Sequence, residues 1–127
     1  MHALVVDDSR AMRSILTRIL GEAGFETISQ AGDGQEALDV LAASTDLPDI
    51  ALVDWNMPVM DGLTFVSECR SNPEYRRMTL MMVTTESEQG QIVRALAAGA
   101  HEYVIKPFTA DAIVDKLEIL GITATQV

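Results

Sequence analysis

Cysteine, basic residues and long apolar runs are all scarce in this chain of 127 residues. The one cysteine, Cys69, has no partner for an internal disulfide, and its place in a helix-like segment makes it a packing residue. Only 9 lysines and arginines stand against 19 aspartates and glutamates, a formal charge of −10 at pH 7. So acidic a chain repels nucleic acid and anionic lipid, which argues against direct DNA binding and against a membrane partner. No apolar stretch approaches the roughly 20 residues that span a bilayer. The N-terminus has neither the basic start nor the apolar stretch of a signal peptide. Low-complexity linkers and internal repeats are missing too. A reducing, cytoplasmic setting is the expectation, and 127 residues with 48% hydrophobic content fit one domain, 1–127.

What the chain does have is an alternation of short apolar runs with segments of helical period, the pattern of an α/β fold. His2 to Val6, Thr27 to Ala31, Ile50 to Val53, Leu80 to Val83 and Tyr103 to Ile105 read as five strands. Between the first two, Met12, Ile15, Leu16, Ile19, Leu20 and Ala23 fall on one helix face, with Ser9 as N-cap and Gly24 as stop. Asp33 and Glu36 form a capping-box pattern before Leu38, Leu41 and Ala42. A third helix spans about Gly62 to Ser71, with Leu63, Val66 and Arg70. Ile92, Val93, Leu96 and Ala97 mark a fourth that ends near Gly99, and Ile113, Leu117 and Leu120 a fifth that closes on Gly121. The second and fifth strands are the more polar and suit sheet edges. With right-handed crossovers, the economical arrangement is a doubly wound, five-stranded parallel sheet of order 2-1-3-4-5, flanked by five helices.

In that order the first and third strands are neighbours, and the topological switch between them opens a crevice at their C-terminal ends. Asp7 and Asp8 follow the first strand, Asp54 the third, Thr84 the fourth and Lys106 the fifth. Three carboxylates brought so close raise one another's pKa unless a counter-charge is present, and a hard divalent cation supplies it. Mg²⁺, which keeps several of its waters, fits an open crevice; Mn²⁺ is the alternative. The Lys106 ammonium and the Thr84 hydroxyl suit phosphate oxygens, so the cluster is built for phosphoryl transfer.

Four motifs carry a resemblance over nearly the whole chain: LVVDDS at 4–9, LVDWNMPVMDG at 52–62, MVTTE at 82–86 and YVIKPF at 103–108. Together and in this order they resemble response-regulator receiver domains, in particular the single-domain chemotaxis members, whose fold is flavodoxin-like with this same strand order. The resemblance implies a signalling protein without an attached output domain, one that catalyses only its own phosphorylation and dephosphorylation. Asp54 would accept a phosphoryl group from a sensor histidine kinase or a phosphotransfer protein. Asp8, Asp54 and the Asn56 backbone carbonyl would ligate the metal, with Asp7 acting through a metal-bound water. Lys106, joined to Pro107 by a cis bond, would pair with the phosphoryl oxygens. Thr84 would move towards that group and Tyr103 would turn inward behind it, reporting the event on the face formed by the fourth helix, fifth strand and fifth helix. Asn56, Thr85 and Glu86 would tune how long the phosphoryl group survives.

The unmodified chain is expected to be a monomer, with a downstream protein docking on that same face. Members that bind the flagellar motor carry basic residues at the start of the fourth helix; Glu88 and Gln89 stand there instead, with Lys116 and Arg94 as the nearby cations. His101 reads as an exposed loop residue. Met57 and Met60 read as gap fillers beside the acceptor loop, placed where a kinase or phosphotransfer helix could dock. Two other readings stay open: a small metal-dependent phosphohydrolase, whose second acid two positions after Asp54 is replaced by Asn56, and a receiver-like scaffold that is never phosphorylated.

Overall fold

The most apolar strands are the most deeply buried. In a computed structural model that describes residues 1–122, every residue of β1 (His2–Val6) and β3 (Ile50–Val53) is buried, as are the last five residues of β4 (Thr79–Thr84). β2 (Thr27–Ala31) and β5 (Glu102–Ile105) are only partly covered. The sheet is parallel throughout, in the order β2-β1-β3-β4-β5. Central strands are apolar on both sides because helices cover both faces, and the polar strands occupy the edges.

The helices divide by face. On one side, α2 (Gly34–Ala43), α3 (Gly62–Ser71) and α4 (Gln89–Ala98) pack Ala37, Leu41, Phe65, Val66 and Ala95 against Leu4, Val6, Val53 and Met82. On the other, α1 (Arg10–Glu22) and α5 (Ala110–Ile119) pack Leu16, Leu20, Ile113 and Leu117 against Val5, Leu52 and Val83. Alternate strand residues therefore feed two separate cores. The capping expectations hold: Ser9 accepts the Met12 N–H, Asp33 accepts the Glu36 N–H, and Gly24, Gly99 and Gly121 all take positive φ at helix ends.

Two helix faces differ from the expected ones. Ile15 is 44% exposed, so the buried stripe of α1 is narrower than its apolar stripe. On α4, Val93 and Leu96 are 56% and 44% exposed and Ala97 is exposed; the one fully buried side chain is Ala95, with Ile92 and Ala98 partly covered. At roughly 1.5–3 kcal/mol for each large aliphatic side chain fully buried, α1, which buries Leu16, Ile19 and Leu20, is anchored far more firmly than α4.

His101 has a structural part that its exposure conceals. Its ring Nδ1 accepts the Leu80 backbone N–H at 3.0 Å, while the His101 backbone N–H donates to the Leu80 carbonyl at 2.8 Å, which closes the end of the β4–β5 ladder. Only the neutral ring can accept at Nδ1. Desolvation first, and the nearby Arg70 charge second, lower its pKa from the ordinary 6.5. The unfolded chain then binds a proton more readily than the folded one, so this contribution to stability is whole above pH 6.5 and is lost as pH falls through the folded value. His101→Asn keeps an acceptor and removes the titration. Denaturant unfolding between pH 7 and about 5 should show the wild type losing more stability than this variant; parallel losses would refute the role of His101.

Candidate functional site

Each chemically active side chain stands where a strand ends. Val6 pairs with Val53 in the β1–β3 register, so Asp7 and Asp54 leave the sheet side by side, and Thr84 is the last residue of β4. Asp7, Asp8 and Asp54 each offer a carboxylate oxygen within 4.8 Å of the others. The Lys106 ammonium reaches in from the end of β5, 2.7 Å from Asp7 Oδ2 and 3.4 Å from Asp54 Oδ2. Asp7 is 1% exposed and both its oxygens are engaged, Oδ2 by Lys106 and Oδ1 by the Ser9 N–H at 2.8 Å. Asp8 is exposed. An all-carboxylate donor set opening to water suits a hard, partly hydrated divalent cation, with Asp8 and Asp54 the readier direct ligands.

Asp54 is nearly buried. Burial is the largest influence on its carboxyl and pushes the pKa above the ordinary 3.8; the Lys106 charge, the Thr84 hydroxyl and the Trp55 N–H pull it down, Asp7 adds to the rise, and the upward push prevails. The loop after it is tightly made. The Trp55 N–H donates to Asp54 Oδ1 at 2.8 Å, and the Trp55 carbonyl accepts from Gly62 N–H at 2.8 Å. The chain passes so close at Gly62 that a Cβ there would overlap the Asp54 carbonyl oxygen. Val59 sits at φ 67° in a three-residue turn closed by the Met60 N–H on the Pro58 carbonyl, a strained conformation for a β-branched residue.

The family follows from this constellation together with the match of a sequence model, described as the response regulator receiver domain, over residues 3–118. The chain belongs to the response-regulator receiver family. Among curated relatives, this receiver is 39% identical over 120 residues to chemotaxis protein CheY1 of Helicobacter pylori, covering 94% of this chain and 96% of that one. It is 41% identical over 122 residues to the CheY homolog of Campylobacter jejuni, covering 95% and 93%. Among solved structures it is similar to CheY4 of Vibrio cholerae, with a TM-score of 0.85 and 32% identity over 94% of this chain and 97% of that chain. It also resembles a chain of the CheX–CheY–BeF3–Mg complex of Borrelia burgdorferi, with a TM-score of 0.87 and 26% identity over 94% and 89%.

The receiver brings all five strand-end residues together, and the Lys106–Pro107 bond is cis as expected. Asn56 and Glu86 also meet: Asn56 Nδ2 donates to Glu86 Oε1 at 3.0 Å across the mouth of the crevice, with Thr85 exposed beside them. Tyr103 is 8% exposed, its hydroxyl donating to the Glu86 carbonyl at 2.8 Å, while Thr84 Oγ1 accepts the Glu86 N–H at 3.3 Å.

Arg13 was missed from the sequence; its Nη1 donates to the Asp7 carbonyl at 2.6 Å and its Nε to Gln30 Oε1 at 3.2 Å. The available signal was its place one turn into the helix that starts at the crevice.

Asp54→Asn tests the charge balance. A folded acid with a raised pKa contributes stability that is whole below the unfolded value and lost as pH rises through the folded one, so the ionised Asp54 costs stability at neutral pH when no cation is bound. With a chelator present, the Asn variant should melt higher than the wild type at pH 7, and the gain should shrink near pH 4. A lower melting point at pH 7 would contradict this balance.

Proposed function

We propose that this receiver is a phosphorylatable response regulator of a two-component or chemotaxis-like system, with Asp54 as phosphoacceptor. The observation that carries the reading is the convergence of Asp54 with Asp7, Asp8, Thr84 and Lys106 in one crevice. The donor is a phosphohistidine on a sensor histidine kinase or a phosphotransfer protein. A carboxylate oxygen of Asp54 bonds to phosphorus as the phosphorus–nitrogen bond breaks and the imidazole leaves. Hydrolysis of the acyl phosphate later returns the carboxylate and inorganic phosphate. Asp8, Asp54 and the Asn56 carbonyl would hold Mg²⁺ or Mn²⁺, with Asp7 acting through a metal-bound water, and the cation would supply the positive charge that phosphoryl transfer needs.

Lys106 already spans Asp7 and Asp54, so it needs little movement to meet a phosphoryl oxygen attached to Asp54. Thr84 donates to the same group from the end of β4. That draws on the Thr84–Glu86–Tyr103 hydrogen bonds and so carries the state of Asp54 to the face of α4, β5 and α5, where the downstream protein docks. The Asn56–Glu86 bridge, with Thr85, governs access of water to the acyl phosphate. The named relatives act in chemotaxis. Glu88 and Gln89 at the start of α4 favour an output other than a flagellar motor switch. Asn56, in place of a second acid, counts against a general phosphohydrolase, and an intact acidic cluster with Lys106 counts against an unphosphorylated scaffold.

Trp55 is the single tryptophan and bonds to the acceptor carboxylate. Its fluorescence should change with Mg²⁺ and again with acetyl phosphate or beryllofluoride. In Asp54→Asn the second change should vanish and the first weaken; a donor response that survives in this variant would sink the assignment of Asp54. Lys106→Ala should still accept phosphate, yet the shift of Tyr103 and of α4 amide resonances on adding beryllofluoride should be largely lost. An undiminished shift would refute its coupling role.

A further inference from the structure

The geometry points to a second line of coupling that rests on the reading of Asp54 as phosphoacceptor: Arg94 is a positioning residue that ties α4 to the acceptor loop through Trp55. The Arg94 guanidinium carbon lies 5.8 Å from the centroid of the Trp55 ring, within the range of a cation–π contact, and tryptophan offers the strongest face for one. Arg94 Nη1 also donates to Gln91 Oε1 at 2.9 Å, one turn earlier on α4, which restrains the guanidinium over the ring. Trp55 is 6% exposed.

What lies beneath that contact makes it a sensor. The Trp55 backbone is held on one side by Asp54 Oδ1 and on the other by the first residue of α3. A bond from phosphorus to the Asp54 carboxylate changes what its oxygens can accept, and the Trp55 N–H is the backbone group already bound to one of them. A shift of Trp55 moves the surface on which Arg94 rests.

What lies above it makes α4 responsive. The Glu88 side chain makes no capping hydrogen bond at its start, Gly90 stands in the first turn with open space where a side chain would go, and Ala95 is its one fully buried side chain. Arg94 is the only cation on this helix. A helix so lightly held is repositioned by a contact that would be minor elsewhere. The Thr84–Tyr103 path reaches α4 from the β4–β5 side; Arg94 reaches it from the end of β3.

The test is amide hydrogen exchange of residues 91–98 in the full chain, with chelator and then with Mg²⁺ and beryllofluoride, for wild type, Arg94→Met and Arg94→Lys. In the unmodified state Arg94→Met should exchange roughly two- to fivefold faster across α4, the size of one partly exposed cation–π contact. The decisive readout is the change that beryllofluoride produces at α4. It should be largely lost in Arg94→Met and partly restored in Arg94→Lys, while Trp55 emission in both variants still responds to beryllofluoride. A merely structural role would lower protection equally in both states and leave the beryllofluoride difference intact, and that result overturns the inference. A wild type whose Trp55 ignores Mg²⁺ and beryllofluoride overturns the acceptor reading and this inference together.

Discussion

Three carboxylates crowd the C-terminal edge of the sheet with one ammonium among them, and the rest of the site is arranged around that imbalance. Lys106 satisfies Asp7 first, at 2.7 Å, and reaches Asp54 only at 3.4 Å. The Asp54 carboxyl is left with its pKa raised, because burial outweighs the donors around it. In a crevice open at Asp8, charge that no side chain balances is a demand for a cation from solution, and a site already short of positive charge is primed to hold one. The sheet topology creates the crowding. β1 and β3 pair in register as neighbours, so Asp7 and Asp54 are placed side by side by the same hydrogen bonds that build the core.

The fold was readable because its periodicities are unambiguous where burial is complete. β1 and β3 were bounded correctly, and β4 proved one residue longer at each end, taking in Thr79 and Thr84. Thr84 is polar yet 0% exposed, and a hydroxyl gives no sign in the sequence of whether a strand ends before it or on it. The five strand-end residues were found because each follows an apolar run. Arg13 and His101 were not found as working residues, since each acts on backbone: Arg13 on the Asp7 carbonyl, His101 on the Leu80 amide. Backbone partners leave no trace in residue type.

The largest misreading falls on α4, and it has a physical meaning. Val93, Leu96 and Ala97 follow the spacing of a core stripe, yet they stand exposed, as does Ile105 on β5 at 41%. An apolar stripe implies burial against something; hydrophobic periodicity cannot say whether that is the protein's own core or another molecule. The same trade leaves α4 with little internal anchoring. Under the proposed function, the exposed apolar face is where a partner docks and the lightly anchored helix is the element that Asp54 repositions.

The central claim is that Asp54 takes the phosphoryl group. Borohydride reduction after treatment with acetyl phosphate converts an aspartyl phosphate to homoserine, which peptide mass spectrometry locates. The account predicts homoserine at position 54 alone, formed with Mg²⁺ and not with chelator. Homoserine at another aspartate, or none at position 54 in protein that has responded to Mg²⁺, would contradict it.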